Sequence, residues 1–139
     1  MSRTLARERA FQLIYELEIQ EVSPEQQVDW HFEIEPYKSE DERNYIRSTV
    51  LGAFENLELL DGRIEKHSKN WKISRISKVD LAILRLAVFE ILLLPEVPDE
   101  VAANEAVELS KRYAEGSSAF VNGILSSIIR EKEQEHDGE

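Results

Sequence analysis

Residues 74–94 read SRISKVDLAILRLAVFEILLL. Ile76, Val79, Leu81, Ile83, Leu84, Leu86, Val88, Phe89, Ile91 and Leu92 make this stretch a helix that is apolar nearly all round. A helix of that kind belongs at the centre of a bundle. Asp80, Arg85 and Glu90 interrupt the run from Val79 to Leu94, which is also too short to span a bilayer. Pro95 and Pro98 end the helix, and Asp99 is expected to cap the next, from Glu100 to about Ala114. Ser117 or Ser118 caps a last helix whose stripe is Phe120, Val121, Ile124, Leu125, Ile128 and Ile129. The tail after Arg130, EKEQEHDGE, is charged and is expected to fray.

Toward the N-terminus, Ser39-Glu40-Asp41-Glu42 has the form of a capping box opening a long helix through Tyr45, Ile46, Val50 and Leu51. The pattern resumes with Phe54, Leu57, Leu60 and Ile64, and a break at Gly52 or Asn56 would make two helices of it. Ser23 before Pro24 and Glu25 starts a short helix through Trp30 to Ile34, which Pro36 ends. The first helix runs from about Thr4 to Ile19 on the stripe Ala6, Ala10, Leu13, Ile14 and Leu17. No β-type alternation of useful length and no internal repeat appear. The chain reads as an all-α, single-domain helical bundle over 1–139.

Composition narrows the function. With 139 residues, 42% apolar and 32% charged, the chain has the balance of an ordinary globular domain with a real core. Its formal charge of −11 argues against nucleic-acid binding by bulk charge, so any such binding needs a local basic patch. The absence of cysteine rules out disulfides, thiol catalysis and a Cys-based zinc site, and suits a reducing cytoplasm. MSRTLARERA has no apolar core of a signal peptide, so a cytoplasmic protein without membrane attachment is expected. His31, His67 and His136 lack metal-ligand spacing, and no phosphate-cradling glycine loop or nucleophile elbow occurs. No cofactor, metal or catalytic residue is indicated.

Charge distribution says more than the total. Arg3, Arg7 and Arg9 against Glu8 give residues 1–9 a local +2. Arginines in the first turns of a helix suit phosphate, because guanidinium forks and free N–H groups converge there. From Arg63 to Lys78, six cations face only Glu65, a local +5. That run is either a solvated helix end or a second basic surface. Phe11 and Tyr15, four residues apart, are read as pointing away from the Ala6–Leu17 stripe, either covered by another helix or forming a docking surface.

Taken together, VDLAILRLAVFEILLLPEVPDEVAANEAVELSKRYAEGSSAFVNGIL over 79–125 resembles the C-terminal half of the NusB family of bacterial transcription antitermination factors. The opening RERAFQLIYELE and Trp71 in NWKISRISKVD are similar to the family's as well. The resemblance implies about seven helices in two subdomains and no catalysis. It implies binding of boxA RNA in ribosomal RNA operon transcripts, together with the ribosomal protein NusE and the RNA polymerase elongation complex.

Carried over by residue, the resemblance assigns RNA contacts to Arg3, Arg7, Arg9 and Gln12 on the first helix. It adds Tyr113, Ser117, Phe120 and Asn122 around the start of the last one. Tyr113 and Phe120 suit stacking on unpaired bases. Ala119 stands where members often have Lys, so one phosphate contact is missing. Tyr15 and Asp80 match the family's surface for NusE. A helical protein–protein adaptor with little RNA affinity is the alternative from another class, and a homodimer is compatible with the sequence. The RNA-targeting domain fused to RNA cytosine methyltransferases is a third reading, but no Rossmann unit accompanies it.

Overall fold

The helix starts follow from side chains that capture free backbone N–H groups. In the computed structural model, which describes residues 3–35, 39–69 and 71–137, the Oγ atoms of Ser23, Ser39 and Ser77 accept from the amides of Gln26, Glu42 and Asp80. These caps open α2 (Pro24–Ile34), α3 (Glu40–Glu55) and α5 (Lys78–Leu93). The remaining helices are α1 (Arg3–Ile19), α4 (Leu57–Lys66), α6 (Asp99–Tyr113) and α7 (Ser118–Asp137), with a 3₁₀ turn at Ile73–Arg75. Pro98 rather than Asp99 holds the cap position of α6, and Asp99 supplies charge to its first turn. Pro36, expected to end α2, lies outside the described residues. Among the described residues there is no strand.

The expected break in the long helix falls at Asn56. Its amide nitrogen Nδ2 donates to the Gly52 carbonyl at 2.8 Å while its backbone leaves the helical region. Gly52 has a different duty. A Cβ there would lie 2.6 Å from two ring carbons of Phe89, so the missing side chain lets α3 approach α5.

Helix α5 is buried from Asp80 to Ile91 without interruption, as its all-round apolar character requires. It packs against α1, α3, α4, α6 and α7. Helices α1–α3 form one group and α4–α7 the other, and α5 fuses them into one apolar core.

One ion pair is buried inside it, and a second group of charges, on Arg85, lies partly buried at its edge. Arg7 of α1 is 4% exposed and Glu90 of α5 is 0% exposed. Arg7 donates from Nε at 2.9 and 3.1 Å and from Nη2 at 2.9 Å, a two-pronged bond. The Tyr45 hydroxyl of α3 adds a third arm at 3.2 Å. Burial pulls the Arg7 pKa down, but hydrogen bonds and charge from Glu90 outweigh it and hold Arg7 above its ordinary value. Burial first, and then the Glu90 charge, push the Tyr45 phenol far above its ordinary value. Arg85 joins α5 to α4 and α1 through Asp61 at 2.9 Å and Glu18 at 2.7 Å.

The tail corrects an expectation. Helix α7 does not fray at Arg130 but continues to Asp137. Glu131 binds Arg63, Lys66 and His67, while Lys132 donates to the Ile91 carbonyl at 2.7 Å and to Asp99 at 2.8 Å. Charges that look solvated in sequence are tied down by oppositely charged helix ends. The Lys66 hydrogen bond holds the Glu131 carboxyl below its ordinary pKa.

Two outcomes are expected. Arg7→Ala strands a buried carboxylate and should cost about 3–5 kcal/mol in urea unfolding, whereas Arg7→Met with Glu90→Leu should recover most of it. Because the folded-state pKa of Glu131 is depressed, its contribution is present above the unfolded-state value and fades as pH falls through the folded one. Stability measured in that acid window should therefore depend less on pH in Glu131→Gln than in the parent chain.

Candidate functional site

The three N-terminal arginines part company in space. Arg7, expected among the RNA contacts, instead turns inward to Glu90 and is buried, so its guanidinium is not on the surface. Arg3 stays outside, with Nη2 3.2 Å from Asp41 and its guanidinium 4.2 Å from the centre of the Tyr45 ring. Arg9 is half-buried, donates to Gln12 Oε1 at 2.9 Å and lies 3.8 Å from Glu35.

Gln12 connects α1 to the end of α6. Its Nε2 donates to the Tyr113 hydroxyl at 3.0 Å, and that hydroxyl donates to Glu8 at 3.0 Å. Arg112 also pairs with Glu8. The Tyr113 ring tilts against Phe11, with centroids 4.9 Å apart. Phe11 is thus a core residue, 3% exposed, contrary to its reading as pointing away from the stripe. It sits about 100° from Ala10 around the helix, so the apolar face is simply wider than the stripe. Tyr15 is half-buried against the core. Arg9, Gln12, Arg112 and Tyr113 form one polar platform. Arg112 was missed by the sequence reading, although a cation in the last turn of α6 was a usable signal.

From Tyr113 the chain turns sharply. Gly116 has φ +89°, a left-handed conformation that favours glycine. The turn brings Ser117 Oγ to Asp80 Oδ2 at 3.1 Å and Phe120 edge-on to Trp71, with centroids 6.3 Å apart. Asp80 is 8% exposed, and its Oδ1 is buried without a hydrogen-bond donor. It is not paired with Arg85, which is taken by Asp61 and Glu18. A cleft of about 170 Å³ is lined by Trp71, Arg75, Asp80, Gly116, Ser117 and Phe120. Across the Trp71–Phe120 wall, an open groove of about 610 Å³ runs past Lys69, Asn122, Gly123 and Arg130. Asn122 is exposed on that groove rather than bonded inside the bundle.

The basic run divides as well. Arg63 and Lys66 pair with Glu131, while Lys69, Lys72, Arg75 and Lys78 are exposed and have no carboxylate partner among the described residues. Among the described residues, no group of three His, Cys, Asp or Glu could hold a metal ion, and no helix is long and apolar enough to cross a membrane.

The NusB family model matches residues 4–130. The transcription antitermination protein NusB of Acetivibrio thermocellus is 51% identical over 140 residues, covering 99% of this chain and 95% of that protein. Among solved structures, T. maritima NusB superposes with a TM-score of 0.84 at 33% identity, covering 94% of this chain and 92% of that one. A structure of the antitermination factors NusB and NusE in complex with dsRNA gives 0.83 at 32% identity, covering 92% and 96%.

The Asp80 geometry makes a specific demand. Its contacts are hydrogen bonds to Ser117 and a capped first turn, with no ion-pair partner. Asp80→Asn should therefore cost only about 1–2 kcal/mol in denaturant unfolding. A loss of about 3–5 kcal/mol would instead be the mark of a broken buried ion pair.

Proposed function

This chain belongs to the NusB family, and we propose on that premise that it is a transcription antitermination factor that binds boxA RNA together with NusE. The observation that carries the reading is the near full-length superposition on a NusB in complex with NusE and dsRNA. The factor performs no catalysis, acts in the cytoplasm and couples the RNA to the RNA polymerase elongation complex.

In this reading the RNA follows the surface from α1 over the end of α6 to the start of α7. Arg9 and Gln12 offer donors, and Tyr113 and Phe120 offer aromatic faces. Ser117 and Asn122 line the clefts on either side of the Trp71–Phe120 wall. Arg3 and Arg9 supply the N-terminal charge, since Arg7 is committed to Glu90. Their carboxylate partners, Asp41 and Glu35, are half or more exposed, so the pairs are weak and a phosphate can replace them.

For NusE, support comes from Asp80 and Tyr15. Asp80 Oδ1 has lone pairs but no donor, so an incoming N–H or O–H improves on the free state. The net charge of −11 favours encounter with a basic ribosomal protein.

The test is a thermodynamic cycle by titration calorimetry at one salt concentration, with boxA and scrambled RNA, each with and without NusE. Positive coupling of about 1–3 kcal/mol with boxA is expected, and saturating RNA must tighten NusE binding by the same factor. Replacing Arg3 and Arg9 by Ala should flatten the salt slope by roughly 0.7–0.9 per lost phosphate contact. Asp80→Lys should weaken NusE binding. Independent binding, or equal coupling with scrambled RNA, would replace this function with the adaptor reading.

A further inference from the structure

Trp71 is half exposed, in a chain whose other large apolar side chains are mostly buried. Its ring makes a T-shaped contact with Phe120, which braces it while half of its surface stays open to solvent. Rigid exposed aromatics beside cations are the means by which proteins hold single-stranded nucleic acid, stacking for the bases and charge for the phosphates. The cations are present. Lys69 and Lys72 flank Trp71 in sequence, Arg75 lines the cleft beside it, and Arg130 lines the groove with Lys69.

Together with Lys78, they differ in pairing from most of the chain's other cations among the described residues. Arg3, Arg9, Arg63, Lys66, Arg85, Arg112 and Lys132 each have a carboxylate partner, whereas Lys69, Lys72 and Arg75 have none among the described residues. In a chain of net charge −11 with 28 acidic residues, three neighbouring cations left unpaired form a positive island. Its complement is a polyanion.

The groove itself is open. Nothing lies within 4 Å of where a Cβ on Gly123 would stand, on the exposed side of α7.

We infer that bound RNA continues past Phe120 as a single strand into this groove, one base stacked on Trp71 and neighbouring phosphates on Lys69, Lys72 and Arg75. The inference rests on the RNA-binding reading above and extends it to the α4–α5 connection.

Three variants test it with single-stranded boxA RNA in the presence of saturating NusE. Replacing Lys69, Lys72 and Arg75 by Gln should flatten the salt slope by roughly two units, at about 0.7 per single-strand phosphate contact. Trp71→Ala should weaken binding roughly 5- to 150-fold, the worth of one stacked base. Gly123→Glu places a carboxylate in the groove while replacing glycine by a better helix former, so RNA affinity should fall with the melting temperature unchanged or raised. In the free chain carrying Trp30→Phe, Trp71 is the one tryptophan left, and RNA should quench its fluorescence saturably. Unchanged affinity and slope in the charge variant, or RNA binding without quenching, would overturn the inference. Loss of NusE binding in place of RNA binding would do so too, by giving the strip to a protein partner. Failure of the parent chain to bind boxA RNA would instead sink the proposed function.

Discussion

The Arg7–Glu90 pair, with Tyr45 as its third arm, is the constraint on which the architecture turns. It joins α1, α3 and α5 at one buried point. Taking two charges out of water costs several kcal/mol for each, so such a pair is poor evidence for extra stability. Its value is geometric. A guanidinium fork bonded to a carboxylate tolerates little rotation or sliding, whereas apolar faces slide easily. With Glu90 fixed, α1 can hold only one register against the central helix, and the Arg85 pairs with Glu18 and Asp61 fix the other end.

That register decides which side chains are free to meet a ligand. Committing Arg7 to the interior leaves Gln12 beside Tyr113 and brings Glu8 against Arg112. The end of α6 is thereby held to α1 by a chain of hydrogen bonds. The short turn at Gly116 then delivers Ser117 to Asp80 and Phe120 to Trp71. Residues from three helices and a connection are thereby paired, Gln12 with Tyr113 and Phe120 with Trp71.

In the proposed function, an acidic protein has to bind RNA in spite of its own carboxylates. Here most cations are paired with carboxylates, and on the surface such pairs are weak. On that proposal, an RNA phosphate competing for Arg3 or Arg9 would replace one partner with another at small net cost, and the unpaired cations Lys69, Lys72 and Arg75 would attract it from a distance. The sum of −11 would still leave acidic surface for the basic protein partner of that proposal.

Much of this was legible in the residues themselves. Serine caps, proline stops and 3.6-residue periodicity mark the helices nearly to their ends, and the all-round apolar pattern of 78–93 places α5 at the centre, because these are local properties of the chain. Gln12 and Tyr113, both named from the family motifs, meet in the fold. Pairing across helices is not local, and periodicity does not disclose it. Arg7 lies three, four and seven residues from Ala10, Phe11 and Ile14, so it belongs to the buried face, but only Glu90 on another helix turns that position from a fault into a bond. Phe11 needed Tyr113 to cover it, and the charged start of the tail needed Arg63, Lys66 and Asp99 to tie it down. Periodicity shows which residues share a face. Whether a charge on that face is spent inside or left for a ligand depends on what another helix brings to it, and tertiary structure alone decides that.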